Sequence, residues 1–246
     1  MDNGSSDDYD IQDYVKKEIA EVWVNPKKHA QVELTNHYLQ KAKKYNWVLV
    51  VDLDEFMYAR NGYKTIKEYL RTIKPEVDQI KVPWKMFGSS GHIKQPKSII
   101  QGFTRRRKYI HSKLNPLVMF VKSLVRGKSL HKIGIHSHIT SAPNVIIPTN
   151  QPSCNDIEPV SEEIIETSYL NLNHYGIQSW NFFKVVKMSR GSASTKKNDK
   201  VRDKSYFKLR DTNEFVDTEL KQKRLKDGAH RIRSHRFKTV RRRRVY

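Results

Sequence analysis

Asp52, Asp54 and Glu55 stand within four residues of one another at the exit of an apolar run, Trp47-Val48-Leu49-Val50-Val51. A run of this kind reads as a buried strand, and carboxylates at its end cannot stay buried without partners. Residues two apart on a strand leave on the same face, so a strand that persists to Asp54 would hold two carboxylates a few ångströms apart. Hard oxygen donors at that spacing suit Mg²⁺ or Mn²⁺, ions that share their coordination with substrate phosphates. The plainer reading of the same residues is a strand that ends in solvated acids capping the next helix.

The elements around these acids set the fold expectation. The pattern Ile11, Tyr14, Val15, Ile19 predicts a helix over Tyr9 to Val22, Val22 to Val24 a short strand, and Gln31 to Tyr45 a second helix that leads into the acid-terminated strand. Thr65 to Ile73 reads as a helix stopped by Pro75, and Gln79 to Trp84 as a strand running into the small-residue loop Phe87-Gly88-Ser89-Ser90-Gly91-His92. Such a loop lets a backbone approach a ligand closely. Leu117 to Val125 and Lys132 to Ile139 are further strand candidates, the second carrying His136 and His138. Glu162 to Leu172 is helix or strand, and the amphipathic stretch Ser179 to Met188 follows His174-Tyr175. Alternating strands and helices predict an α/β protein with a mainly parallel sheet flanked by helices, where ligands lie beyond the carboxyl ends of strands.

The chain has 246 residues, 47 Lys and Arg against 26 Asp and Glu, and a formal net charge of +21. The excess is uneven: from Lys221 to Tyr246 twelve basic residues are opposed by Asp227 alone. The division that follows is a folded domain over 1–220 and a basic, solvated arm over 221–246, able to contact anionic surfaces or nucleic acid. A single cysteine, Cys154, excludes an internal disulfide framework. No apolar run approaches the roughly 18 residues of a membrane span. The N-terminal residues lack the layout of a secretion signal, so the expectation is a cytoplasmic protein.

Six segments, taken in order, resemble the glycosyltransferases of family 92 and their family 2-like relatives with the GT-A fold. They are Asp2-Asn3-Gly4-Ser5-Ser6-Asp7, Asp52-Leu53-Asp54-Glu55-Phe56, and Trp84-Lys85-Met86-Phe87-Gly88-Ser89-Ser90-Gly91-His92. The others are Lys122-Ser123-Leu124-Val125-Arg126 with His136, His174-Tyr175 with Ser179 and Phe182, and Arg190-Gly191. The resemblance implies a GT-A-like (Rossmann-like) fold and a metal-dependent transfer of sugar from a nucleotide-sugar, such as a UDP-sugar, to a glycan hydroxyl. It implies Mn²⁺ or Mg²⁺ held by Asp52, Asp54 and His136, and donor contacts from Asp2, Asp52, His174, Tyr175 and Arg190. Trp84, Gly88 and His92 would meet the acceptor, with His92 or Glu55 as the base that takes its proton.

The chain departs from the family pattern in two places. Asp2 stands where the family has already built a first strand and helix, so the domain reads as lacking that unit at its N-terminus. Gln178 and Asn181 stand where the pattern favours Lys and Glu. Three rival readings accompany the transferase: a haloacid dehalogenase-type phosphatase with Asp52 as nucleophile, a basic nucleic-acid-binding protein, and a non-catalytic remnant of a transferase. Phe56 and the absence of a later acid pair speak against the first. The second is disfavoured because the charge gathers in the arm, with few interleaved aromatics.

Overall fold

The computed structural model describes residues 12–17, 20–24, 27, 30–110, 118–142, 144–153, 157–189 and 202–226. Within them lie strands β1 (Trp47–Leu49), β2 (Glu55–Ala59), β3 (Gln79–Met86), β4 (Arg105–Arg106), β5 (Val118–Arg126), β6 (Leu130–Lys132), β7 (Ile139–Thr140), β8 (Val145–Ile146), β9 (Ile157–Pro159), β10 (Leu170–His174) and β11 (Phe215–Val216). The helices are α1 (Gln12–Lys16), α2 (Gln31–His37), α3 (Leu39–Ala42), α4 (Ile66–Thr72), α5 (Ile99–Gly102), α6 (Glu162–Thr167), α7 (Trp180–Phe182), α8 (Lys204–Arg210) and α9 (Glu219–Lys226). Helix α9 takes in the first residues of the segment read as a basic arm, and the rest of that segment lies outside the described residues.

A seven-stranded sheet runs in the order β1-β5-β3-β10-β2, with β8 on β3 and β9 on β5. The mixed α/β class holds, but the expectation of a mainly parallel sheet is corrected. β1–β5, β3–β5, β5–β9 and β2–β10 are antiparallel, while β3–β10 and β3–β8 are parallel. Alternating helix and strand signals do not reveal which strands become neighbours. Here α6 leads into β10, which inserts between β3 and β2 and pairs with one parallel and the other antiparallel.

One face of the sheet carries Ile80, Val82, Leu124, Leu170, Leu172 and Ala59, and α4 covers it with Tyr69 and Ile73. That helix begins where its sequence says it should: Thr65 caps the N–H of Glu68, whose side chain returns to the Thr65 N–H in a reciprocal capping box. On the other face Val125, Leu130 and Ile133 pack against Leu39, Ala42, Val48 and Val50. At the far end of that face a buried ionic network replaces apolar packing. Lys85 Nζ donates to Asp217 Oδ2 at 2.8 Å and to the Tyr58 hydroxyl at 2.7 Å. Arg106 bonds Asp217 and grips both Glu162 oxygens, so the segment leading into α9 is tied to β3 and β4.

Two strands differ from expectation. The strand expected over Lys132–Ile139 is a hairpin of β6 and β7, with His136 and His138 in its loop. The strand carrying the acids ends at Leu49, and Glu55 opens a different strand. β1 and β2 sit at opposite ends of the strand order. Residues 50–54 therefore run across the end of the sheet, over the strands between.

Candidate active site

Asp52 and Asp54 lie on that crossing segment, and the strands beneath each residue decide its partners. Asp52 Oδ2 accepts from Lys122 Nζ of β5 at 3.1 Å, and its Oδ1 from Gln31 of α2 at 3.2 Å. Two strands further along, Asp54 Oδ1 stands 3.8 Å from His174 Nε2, at the end of β10. Its Oδ2 accepts from Lys187 Nζ at 2.7 Å. The expectation that both carboxylates leave one strand on one face is thus corrected: they lie on a turn and engage different cations. The turn closes on itself, with the Glu55 N–H donating to Asp52 O at 3.1 Å and the Asp52 N–H donating to Glu55 Oε2 at 2.9 Å.

Beneath the turn, Glu55 and Lys122 have fully buried side chains, Nζ to Oε2 3.4 Å. Burial pushes Glu55 up to about 7 against the pull of Lys122. Burial also drives His174 down to about 4, so its imidazole is neutral near pH 7 and its Nε2 can act as a donor atom toward a metal. Burial, the largest single influence, would raise Asp54, but the Lys187 ammonium, the His174 ring and the hydrogen bonds to the carboxylate together keep it below its ordinary range.

The β10 registers, His174 opposite Glu55 and Leu172 opposite Trp84, put Glu55, Trp84 and His174 on one face. The Trp84 ring packs between His174, at a centroid distance of 4.2 Å, and His136, at 5.3 Å. Among the described residues five buried side-chain polar atoms have no hydrogen-bond partner, and three of them are Glu55 Oε1, Trp84 Nε1 and His174 Nδ1. Buried polar atoms are normally paired, so such a concentration marks a place that water or a ligand completes. It lies by the carboxyl ends of β3 and β10, the parallel pair, which is where ligands sit in open α/β sheets.

The expected third metal ligand, His136, lies on the other side of the Trp84 ring from His174. Its Nδ1 lies 3.1 Å from Val121 O and its ring stacks on Phe120, with Trp84 between it and His174. The histidine next to Asp54 is His174. No group of three or more His, Cys, Asp or Glu that could hold a metal occurs among the described residues. Asp54 and His174 still fit a divalent cation of the kind bound by one or two protein ligands plus substrate phosphates and water.

The remaining expected site residues separate. His92 Nε2 lies 3.0 Å from Gly102 O, and its ring meets Phe103 edge-on, which fixes it against the end of α5. Gly88 has a packing reason to lack a side chain, since a Cβ there would collide with Asn213 and Thr212. Tyr175 is buried among Phe56, Phe87 and Phe103, with its hydroxyl accepting from Asn173. Its N–H donates to Asp54 O, so Tyr175 supports the turn from below. Asp2 and Arg190 lie outside the described residues. An open cleft lined by Trp23, Tyr38, Lys41, Tyr45 and Trp47 lies at the opposite end of β1, away from the acids.

Two cations also stand at the centre, Lys122 and Lys187. Lys122 belongs to a motif that the resemblance had already picked out, and its place midway along an apolar strand was the available signal. Lys187 is delivered by a π-helical turn, Phe183–Lys187, that continues α7. Such turns are rare and recur at functional sites. Ser179 starts the segment by capping the Phe182 N–H, and buried Phe183 anchors it on Phe207 and Tyr206.

No helix among the described residues is long and apolar enough to cross a membrane. No curated protein matches the chain in sequence. A profile of glycosyltransferase family 92 matches residues 6–220, most of the chain and all of the site described above, and the chain belongs to that family.

Proposed function

We propose that this protein moves a sugar from a nucleotide-sugar donor, a UDP-sugar, to a glycan hydroxyl, with the donor's diphosphate received at Asp54. The observation that carries this reading is the carboxylate of Asp54 beside the neutral imidazole of His174 and the ammonium of Lys187, at the carboxyl ends of the parallel strands. A Mn²⁺ or Mg²⁺ ion bound there would neutralise charge that builds on the departing diphosphate, without a proton transfer to the leaving group. Asp54 and His174 are the residues that would hold it.

The other groups position. Glu55 and Lys122, buried and mutually paired, clamp the turn so that Asp54 is presented on a fixed backbone. Asp52, about half exposed, lies at the outer edge of the site, where a ribose or the ion can reach it. Trp84 offers its ring and an unpaired Nε1 on the face shared with His174, suited to the acceptor side. Of the two candidate bases, Glu55 stands in the cluster, with Oε1 unengaged.

The test is nucleotide release from a panel of UDP-sugars with Mn²⁺ and glycan acceptors. Turnover that falls at least a hundredfold in Asp54→Ala supports the reading. Turnover that is unchanged by Asp54→Ala, or p-nitrophenyl phosphate hydrolysis abolished by Asp52→Asn, overturns it.

A further inference from the structure

Lys85, Lys122 and Lys187 each bind a carboxylate at or near the interior of this fold, and they differ in how far they can move. Lys85 and Lys122 have side chains 1% and 0% exposed, and each is held by more than one oxygen partner: Asp217 and the Tyr58 hydroxyl for the first, Asp52 and Glu55 for the second. Removing either ammonium would strand buried charge. Lys187 is different. Its side chain is 21% exposed, it is ion-paired with the carboxylate of Asp54, and that is the group best placed to meet the donor. It is the last residue of the π-helical turn, where a flexible four-carbon stem lets the ammonium swing by several ångströms.

From this geometry we infer that Lys187 is a place-holding cation: it neutralises Asp54 in the free protein and passes to the donor's diphosphate when the donor arrives. The inference rests on the proposed transferase reading. Without a donor, a bare Asp54 carboxylate at 14% exposure would be poorly solvated, and Lys187 offsets that cost. When a divalent cation takes the same carboxylate, the ammonium is repelled from it. The diphosphate oxygens then supply the nearest concentrated negative charge, and an ammonium binds phosphate well. The turn thus keeps the site closed by charge when empty and adds a second positive charge when filled.

The exchange has a signature that a structural lysine would not give. Lys187 competes with a metal ion for Asp54 but cooperates with it on the diphosphate, so removing the ammonium moves two affinities in opposite directions. Equilibrium titrations of Mn²⁺ alone, and of UDP at saturating Mn²⁺, are compared for the full chain and for Lys187→Met, which keeps the apolar stem, and Lys187→Arg, which keeps the charge. The expected result for Lys187→Met is Mn²⁺ binding tightened about threefold or more and UDP binding weakened about tenfold, the worth of one charge-assisted hydrogen bond. Lys187→Arg stays within about threefold of wild type for UDP. Both affinities falling together, both unchanged, or Lys187→Met failing to fold each overturn the exchange and leave Lys187 a structural residue. Wild-type protein that binds no UDP under any metal condition instead overturns the transferase reading, and this inference with it.

Discussion

His174 holds its imidazole 3.8 Å from the Asp54 carboxylate, and the backbone ties the two residues together. The residue is paired with Glu55 across the antiparallel β2–β10 ladder, while the next N–H, that of Tyr175, donates to Asp54 O at 2.9 Å. Gly176 completes the arrangement. A Cβ built on it would stand 3.2 Å from His174 Nε2 and 3.3 Å from Cε1, so a side chain there would make the ring give by a few tenths of an ångström.

Gly176→Ala is therefore expected to shift the imidazole by a few tenths of an ångström relative to Asp54, with little damage to the fold. Thermal or denaturant melts should place the variant within about 1 kcal/mol of wild type. Titration with UDP and Mn²⁺ should show affinity reduced several-fold. Unchanged affinity in a folded variant would separate His174 from the donor site.

The clamp beneath the acids makes a second prediction, about stability. Lys122→Met removes the cation that Glu55 and Asp52 share and leaves a buried carboxylate unpaired. The expected loss in unfolding free energy is about 3 kcal/mol, read from urea melts. Asp52→Asn, at a half-exposed position that leaves the Lys122–Glu55 pair intact, should cost under about 1 kcal/mol. An inverted order of the two would show that the turn is held by something other than Lys122.

On the opposite face the Lys85–Asp217 pair has side chains 1% and 7% exposed. Lys85→Met alone should destabilise by about 3 to 5 kcal/mol, because Asp217 would face one cation, Arg106, where it now has two. The double variant Lys85→Met/Asp217→Leu should recover a large part of that loss. A double variant as unstable as the sum of the singles would mean that the pair does not act as a unit.

Protonation of His138 sets a pH dependence of stability. Burial pushes this imidazole from the ordinary 6.5 down to about 4. Its neutral form fits its surroundings, with Nδ1 accepting the Gly134 N–H at 3.2 Å and Nε2 lying 3.3 Å from Ser123 O. The unfolded chain thus binds a proton between pH 6.5 and 4 that the folded one does not. Stability from this group is complete above about 6.5 and is lost as pH falls toward 4, by about 3 kcal/mol in total. Melts from pH 7.5 to 4.5 should show a shallower decline in His138→Gln than in wild type. His174, also pushed to about 4, contributes a slope that this variant leaves in place.

What could be read from the sequence were the local signals. The Thr65–Glu68 capping box, the strand beginning at Gln79 and the acid pair itself are written in residues close together in the chain. The partners of the acids are not. Lys122 meets Asp52 across 70 residues and Lys187 meets Asp54 across 133, and no periodicity links such positions. The two candidate histidines show the same limit. His136 and His174 each follow a strand-like segment, and which one reaches Asp54 depends on β10 inserting beside β2 while the His136 loop turns behind Trp84. The mainly parallel expectation failed for a related reason, since strand order is a property of long-range pairing. The Gly88 loop shows that a small-residue run can answer to packing, here against Asn213 and Thr212, as readily as to a ligand.

The central claim is that Asp54 receives the donor's diphosphate. Calorimetric titration of UDP into wild-type protein and into Asp54→Asn, each with excess Mn²⁺, tests it most directly. Asparagine keeps the shape of the side chain and removes its charge. The account predicts measurable binding to wild type that is weakened at least about tenfold in the variant. Equal affinities in the two folded proteins would contradict it.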